Sequence, residues 1–155
     1  MASLRPGRRW AKPEPLLLHI VARGRIGRGP EADLVERYLK RVPWPTRLTE
    51  LPDTGGRMPP RDTGTKIVAL DEKGDAIPST ALAATLGRWR DDGVREARFL
   101  IGAADGHDPA TRDGADLLLS FGKATWPHLL VRAMLAEQLW RATSILASHP
   151  YHREG

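Results

Sequence analysis

Cysteine is absent from the 155 residues. That excludes disulfides, thiolate metal sites and a cysteine nucleophile. No apolar run approaches the roughly 20 residues that a membrane-crossing helix needs. Aromatic side chains make up only 6% of the chain, although five of the nine are Trp. Lysine is scarce as well, with five against 19 arginines. A guanidinium binds phosphate in bidentate fashion and stacks on bases, whereas an ammonium is closer to a point charge. The chain does hold 15 Gly and 13 Pro, so it is rich in turns, and its 41% hydrophobic and 28% charged residues are ordinary for a globular protein.

The formal charge of +5 is spread unevenly. Met1–Arg61 carries 13 basic against 6 acidic side chains, and Asp62–Gly155 carries 11 against 13. A basic, Arg-rich half fits a nucleic-acid partner. A composition biased towards arginine, with the surplus on a solvated surface, gives the same count, so charge alone leaves both readings open. Arg8-Arg9 resembles the start of a twin-arginine export signal. The apolar stretch behind it, Leu16–Ala22, is short, contains His19 and runs into Arg23, which does not suit an export core. Residues 1–15 read as a flexible basic arm, with Pro6, Pro13 and Pro15 discouraging regular structure. Residues 16–155 read as one domain, large enough to bury a real core. The expected location is the cytoplasm.

Periodicity predicts the elements. Leu16–Ala22 is a buried strand, and Glu31–Val42 an amphipathic helix with Leu34, Val35, Tyr38 and Leu39 on one face. Arg47–Leu51 is a short strand, and 52–65 a Gly/Pro-rich loop. Lys66–Asp71 is a strand. Ser79–Arg90 is a helix with Ser79 as its expected N-cap. Ala97–Gly102 and Asp116–Phe121 are strands. A long helix then opens at Trp126-Pro127, with Pro127 in its first turn, and runs to about Ala147. Strands alternating with helices, several of them continuous apolar runs, predict an α/β domain with a mostly parallel sheet flanked by helices. Ligands of such sheets bind beyond the carboxyl ends of the strands. Leu70-Asp71, Gly102–Gly106 and Phe121–Trp126 all end strands, so they are expected to line one pocket. Gly106 is expected to need positive φ, and the backbone at Gly102 to approach a ligand closely.

The last residues, His149-Pro150-Tyr151-His152-Arg153-Glu154, are unusual for a chain end. Imidazoles titrate near neutrality, Arg contacts phosphate and carbonyl oxygens, and Tyr stacks on bases. His149 and His152 have no third ligand beside them, so no metal site is expected. His19, inside an apolar strand, reads as a satisfied core residue. His107, beside the glycine turn, reads as surface or site.

Four segments taken in order carry a resemblance: K-I-V-A-L-D from Lys66, F-L-I-G-A-A-D-G from Phe99, L-S-F-G-K-A-T-W-P-H-L-L-V-R-A-M-L-A-E-Q-L-W-R-A from Leu119, and H-P-Y-H-R-E from His149. They resemble the RlmH family of large-subunit rRNA pseudouridine N3-methyltransferases over about Lys66–Glu154, with a weaker likeness over Leu16–Val42. The resemblance implies a SPOUT fold whose C-terminal part forms a deep trefoil knot. It implies a homodimer, S-adenosyl-L-methionine as cofactor and no metal. The implied substrate is a pseudouridine in helix 69 of 23S rRNA, methylated on the assembled ribosome. Matched position by position, the implied cofactor contacts are Leu70, Gly102, Phe121, Gly122, Lys123, Ala124, Thr125 and Trp126. The chain departs from the family pattern at Ala103, where a second glycine is usual, in the shortened 52–65 segment, and in the arm of residues 1–15.

The implied chemistry sets requirements. Pseudouridine N3 lies between two carbonyls and carries a proton, so it is a poor nucleophile until that proton leaves. The resulting imide anion spreads charge onto both carbonyl oxygens. The site therefore needs a proton acceptor and a nearby cation. His152 is the candidate base, Arg153 and Arg141 the candidate charge stabilisers, and Tyr151 a positioning or stacking group. Water or the ribosome are alternative proton acceptors, and Arg141 could equally form an i,i+4 ion pair with Glu137. Two rival readings remain at this level: a catalytically silent ribosome-binding module and a flavodoxin-like nucleotide binder. Truncation after Ser148 is expected to abolish methyl transfer while S-adenosylmethionine binding, followed by calorimetry, survives. Parent-rate methylation by the truncated chain would remove the tail from the catalytic machinery.

Overall fold

The computed structural model describes residues 16–103 and 105–148. The basic arm, Tyr151, His152 and Arg153 lie outside the described residues. The elements in order are β1 (Leu17–Arg23), α1 (Pro30–Arg41), β2 (Thr46–Leu51), β3 (Thr65–Asp75), α2 (Ser79–Asp91), β4 (Glu96–Ile101), α3 (Pro109–Asp113), β5 (Leu117–Leu119) and α4 (His128–Ser148). The strands form one sheet in the order β2-β1-β4-β3-β5, every neighbouring pair parallel. No described helix is long and apolar enough to cross a membrane.

The alternation of each strand decides what covers it. Leu18, Ile20 and Ala22 of β1, Ala97, Phe99 and Ile101 of β4, and Val68 of β3 share one face. That face packs on Leu82, Leu86 and Trp89 of α2 and on Leu135, Leu139 and Ala142 of α4. Fully burying each large aliphatic or aromatic side chain contributes about 1.5–3 kcal/mol. The opposite face carries a smaller apolar cluster, Val21, Leu51, Ile67 and Leu100, and a polar one.

The polar cluster holds a strap against this face. Arg98 on β4 is almost fully buried. Its Nε donates to Glu96 at 2.7 Å, and its Nη1 and Nη2 donate to the carbonyls of Pro59 and Pro60 at 2.7 and 2.8 Å. The guanidinium thus pins the Pro-rich 52–64 segment across the sheet. His19, 1% exposed, completes the cluster. Its Nδ1 donates to Glu96 at 2.8 Å, and its Nε2 accepts from the Thr49 hydroxyl at 2.7 Å. Burial lowers the His19 pKa despite the pull of Glu96, so the ring is neutral. Burial alone would raise the Glu96 pKa, but its bonds to Arg98 and His19 bring it below its usual value. His19 is a satisfied core residue, as expected.

Several expected boundaries move. Ser79 is not an N-cap: Pro78 holds that position, and the Ser79 hydroxyl donates to Gln138 Oε1 on α4 at 2.6 Å. Pro127 precedes α4, its carbonyl accepting the first helical bond from Val131 at 3.0 Å. The strand expected over Asp116–Phe121 is reduced to Leu117–Leu119. β3 runs past Asp71 to Asp75, and Leu119 pairs with both Leu70 and Asp75. Residues 71–74 therefore loop out beside β5, where a Cβ on Gly74 would sit 2.6 Å from the Leu118 carbonyl oxygen. The five-residue α3 has too few positions to show a period, so periodicity could not reveal it.

Arg98→Ala removes the strap's partner, leaves Glu96 with His19 alone and leaves two carbonyls unsatisfied. It is expected to cost about 3 kcal/mol or more in unfolding free energy by urea titration. A loss below about 1 kcal/mol would mean that the strap holds without Arg98.

Candidate active site

The parallel sheet brings the ends of β3, β4 and β5 to one edge, and α4 starts over the same edge. Between them lies a cleft of about 350 Å³. Its walls are Leu70–Lys73 of β3, the turn after β4 from Ile101 to His107, Arg112 of α3, the segment Leu119–Trp126 except Ser120 and Lys123, and His128 and Val131 of α4. Ala104, within that turn, lies outside the described residues. The three strand ends expected to form one pocket do so. Of the eight cofactor contacts implied by resemblance, seven line the cleft: Leu70, Gly102, Phe121, Gly122, Ala124, Thr125 and Trp126. Lys123 is exposed and is not part of the wall.

Local hydrogen bonds shape these walls. The Ser120 hydroxyl accepts from Gly122 N–H at 3.0 Å and sits 3.2 Å from the Glu72 carbonyl, joining the β5 exit to the β3 loop. Thr125 donates to Glu72 Oε2 at 3.0 Å. Trp126 is 42% exposed, and its Nε1 reaches the Phe121 carbonyl at 3.4 Å. The turn after β4 closes through Gly106 N–H to the Ala103 carbonyl at 2.8 Å, with Gly106 at φ +79°. No described residue other than glycine has positive φ, so Ala103 occupies the position of the usual second glycine without backbone strain.

Gly102 also has a reason within the chain. A Cβ there would lie 2.9 Å from the carbonyl carbon and oxygen of Gly106. The close approach is to the chain's own turn, so a side chain at 102 would first distort the wall rather than fill the cleft.

The charged groups of the cleft are largely committed to one another. Asp71 Oδ1 accepts from Lys73 N–H at 2.8 Å. Asp71 Oδ2 lies 2.8 Å from Arg112 Nε, close enough for an ion pair but off the line of a hydrogen bond, so that buried N–H has no partner. His107 Nε2 donates to the Leu100 carbonyl at 3.0 Å, and burial lowers the pKa of the ring. His107 is therefore a neutral strut holding the turn against β4. His128, at the start of α4, is the other imidazole facing the cleft. Apolar Leu70, Phe121 and Val131 beside Asp71, Glu72 and Asp105 form a chamber suited to an aromatic base joined to a cationic sulfonium. The donor set thus fits S-adenosylmethionine, the cofactor that the resemblance implies.

Arg141 stands apart from the cleft. Its Nε and Nη2 bind Glu137 Oε1 at 2.7 and 2.6 Å, which is the ion pair that helical spacing allowed. Sequence reasoning missed Arg112, His128 and the loop of residues 71–74. The 71–74 loop continues a recognisable strand, whereas Arg112 comes from the α3 that periodicity could not show.

A family model described as "Predicted SPOUT methyltransferase" matches residues 16–152. Among curated proteins, the Ribosomal RNA large subunit methyltransferase H of Rhizorhabdus wittichii is 78% identical over 140 residues, covering 90% of this chain and 100% of the relative. The protein of the same name from Novosphingobium aromaticivorans is 67% identical over 141 residues, again covering 90% of this chain and 100% of the relative. Among solved structures, a probable methyltransferase from Bordetella pertussis Tohama I superposes with a TM-score of 0.53 at 11% identity, covering 84% of this chain and 95% of that one. That likeness concerns the fold.

Gly102→Ala tests the turn. It is expected to weaken S-adenosylmethionine binding about tenfold, equivalent to about 1.4 kcal/mol, with far-UV circular dichroism unchanged. Parent affinity in the folded variant would take the turn out of the site.

Proposed function

The chain belongs to the SPOUT methyltransferase family, among the large-subunit rRNA methyltransferase H enzymes, and on that premise we propose that it methylates N3 of a pseudouridine in helix 69 of 23S rRNA. It is an rRNA methyltransferase; the nucleotide, the helix and the assembled ribosome as substrate are our reading. The observation that carries it is that the three strand ends whose motifs resemble the family line one cleft together. A silent binding module and a flavodoxin-like protein fall away with the family. The family's fold implies that the β5–α4 segment is threaded as a trefoil knot. We place the reaction in the cytoplasm and the arm of residues 1–15 outside the catalytic domain.

Leu70, Gly102 and the 121–126 loop would hold S-adenosylmethionine, mainly through the backbone of the strand-end turns. When bound, the cofactor supplies a methyl group already activated by its sulfonium, so no metal is needed. The protein has to do the rest. His152 accepts the N3 proton, Arg153 stabilises the carbonyl oxygens of the imide anion, and Tyr151 positions the base. Arg141 can share that role only by giving up its Glu137 carboxylate.

Chain geometry bears on where these groups act. α4 begins at the cleft with His128 and ends at Ser148, so its far end lies about 30 Å from its start at 1.5 Å per residue. The four residues from His149 to His152 span at most about 14 Å when extended. On that reach we infer that the tail acts away from the cleft of its own chain. Within the proposed homodimer it serves the cleft of the second copy.

The test is methylation of ribosomes and of free large subunits, with mass mapping of the product. A methyl group on helix 69 pseudouridine N3 is expected, and a product at any other nucleotide overturns the assignment. A chain truncated after Ser148 and a Gly102→Val chain should each be inactive alone and regain activity when mixed, because one hybrid site joins an intact cleft to an intact tail. No recovery on mixing would mean that the tail does not act between chains.

A further inference from the structure

The loop leaving β1, Gly24-Arg25-Ile26-Gly27-Arg28-Gly29, has no part in the cleft walls, yet its backbone is held at Gly24, Ile26 and Gly29. Gly24 N–H donates to the Leu51 carbonyl at 2.7 Å, and the Gly24 carbonyl accepts from Arg132 Nη2 at 3.0 Å. Ile26 N–H donates to Glu50 Oε2 at 2.9 Å, the same oxygen that takes Arg132 Nη1. Gly24 and Gly27 adopt φ of +87° and +62°, so the turn of the loop depends on residues without a Cβ. Arg132 is fully buried on α4, and its Nε has no partner. Desolvating a guanidinium is costly, and the best-attested use of such a group is to fix one arrangement. Here it fixes this loop to the first turns of α4.

The side chains carried by that backbone are exposed cations. Arg23 turns back onto the Pro52 and Gly55 carbonyls. Arg25 and Arg28 are exposed, and neither forms an ion pair among the described residues. Glu50 lies near Arg25 but is already engaged by Arg132 and Ile26. Glu31 and Asp33 follow in the first turn of α1, where the helix dipole favours them. The loop also borders the cleft: a Cβ on Gly24 would lie 3.8 Å from Nε2 of His128, a cleft residue.

We propose that Arg25 and Arg28 form a preset phosphate clamp that grips the rRNA backbone next to the nucleotide presented to the cleft. The proposal rests on the reading that the chain methylates rRNA. Phosphate contacts set register and orientation without reading sequence, which is what a site acting on one nucleotide needs from its shoulder. A backbone already fixed by Arg132 and Glu50 loses little freedom when the phosphates arrive.

The test uses the full chain and ribosomes over a series of salt concentrations. The double variant Arg25→Gln/Arg28→Gln should flatten the plot of log affinity against log salt by about two units and weaken binding about tenfold or more. S-adenosylmethionine affinity should not change. Arg25→Lys/Arg28→Lys should restore most of the slope, since the charges return on an unaltered loop. If the parent methylates ribosomes and the Gln variant keeps the parent's slope, the clamp is overturned and the function stands. If the parent does not methylate ribosomes, both fall. A Gln variant that loses S-adenosylmethionine affinity as well would show a damaged site and would also overturn the clamp.

Discussion

The position of α4 governs the whole carboxyl edge of the sheet, and a buried guanidinium fixes it. Arg132 lies four residues after His128, one turn along the helix. From there it reaches Glu50 at the end of β2 and the Gly24 carbonyl at the end of β1. Apolar contacts with α1, α2 and the sheet hold α4 broadly in place, but such packing is non-directional. A charged hydrogen bond to a carboxylate adds direction and register. If α4 slid by a turn, His128 and Val131 would leave the cleft and the loop after β1 would lose its brace. The bonds from Arg132 and Ile26 outweigh burial and lower the pKa of Glu50, so the partner charge is present at neutral pH.

A second buried arginine does the corresponding work on the opposite face. Arg98 holds the 52–64 strap, while His19 and Glu96 complete its hydrogen bonding. The strap shows how a sheet face can be covered without a helix. Two proline carbonyls, which cannot join a ladder here, are satisfied by one guanidinium. The two bulkiest fully buried side chains described are thus both arginines. Each ties an irregular segment to a regular element, α4 or β4, and irregular segments are where a Gly- and Pro-rich chain most lacks regular hydrogen bonds.

Much of the fold was legible because β1, β4 and the first half of β3 are apolar runs and α1 carries a clear stripe. Leu18, Ile20, Val68 and Phe99 announce buried strands, and the three strand ends group together on the sequence pattern alone. The buried arginines were not legible. In A-R-F-L-I an arginine reads as the solvent side of an edge strand, because the pattern does not show that prolines 38 and 39 residues away supply its acceptors. Arg132 meets a carboxylate 82 residues distant. Gly102 was legible as a close approach, but its partner was not: the turn returns to Gly106 before any ligand is met. Ser79 has the chemistry of a cap, yet Gln138 on a neighbouring helix competes for its hydroxyl.

The layout divides the proposed reaction between rigid and irregular parts of the molecule for a physical reason. A cofactor bound largely by backbone needs strand-end turns whose shape is set by the sheet, and β3, β4 and β5 provide them at one edge. A proton acceptor and a cation for the imide oxygens must come from side chains, and on this chain the candidates lie beyond the far end of a helix of 21 residues. One domain of this topology cannot bring its two ends together, because parallel crossovers return every helix to the opposite edge of the sheet. A second copy with its axis reversed removes the difficulty without lengthening the chain. On that arrangement, cofactor binding belongs to the folded chain and transfer to the assembled pair. Dilution below the dimer dissociation constant would then suppress turnover before it suppressed cofactor binding.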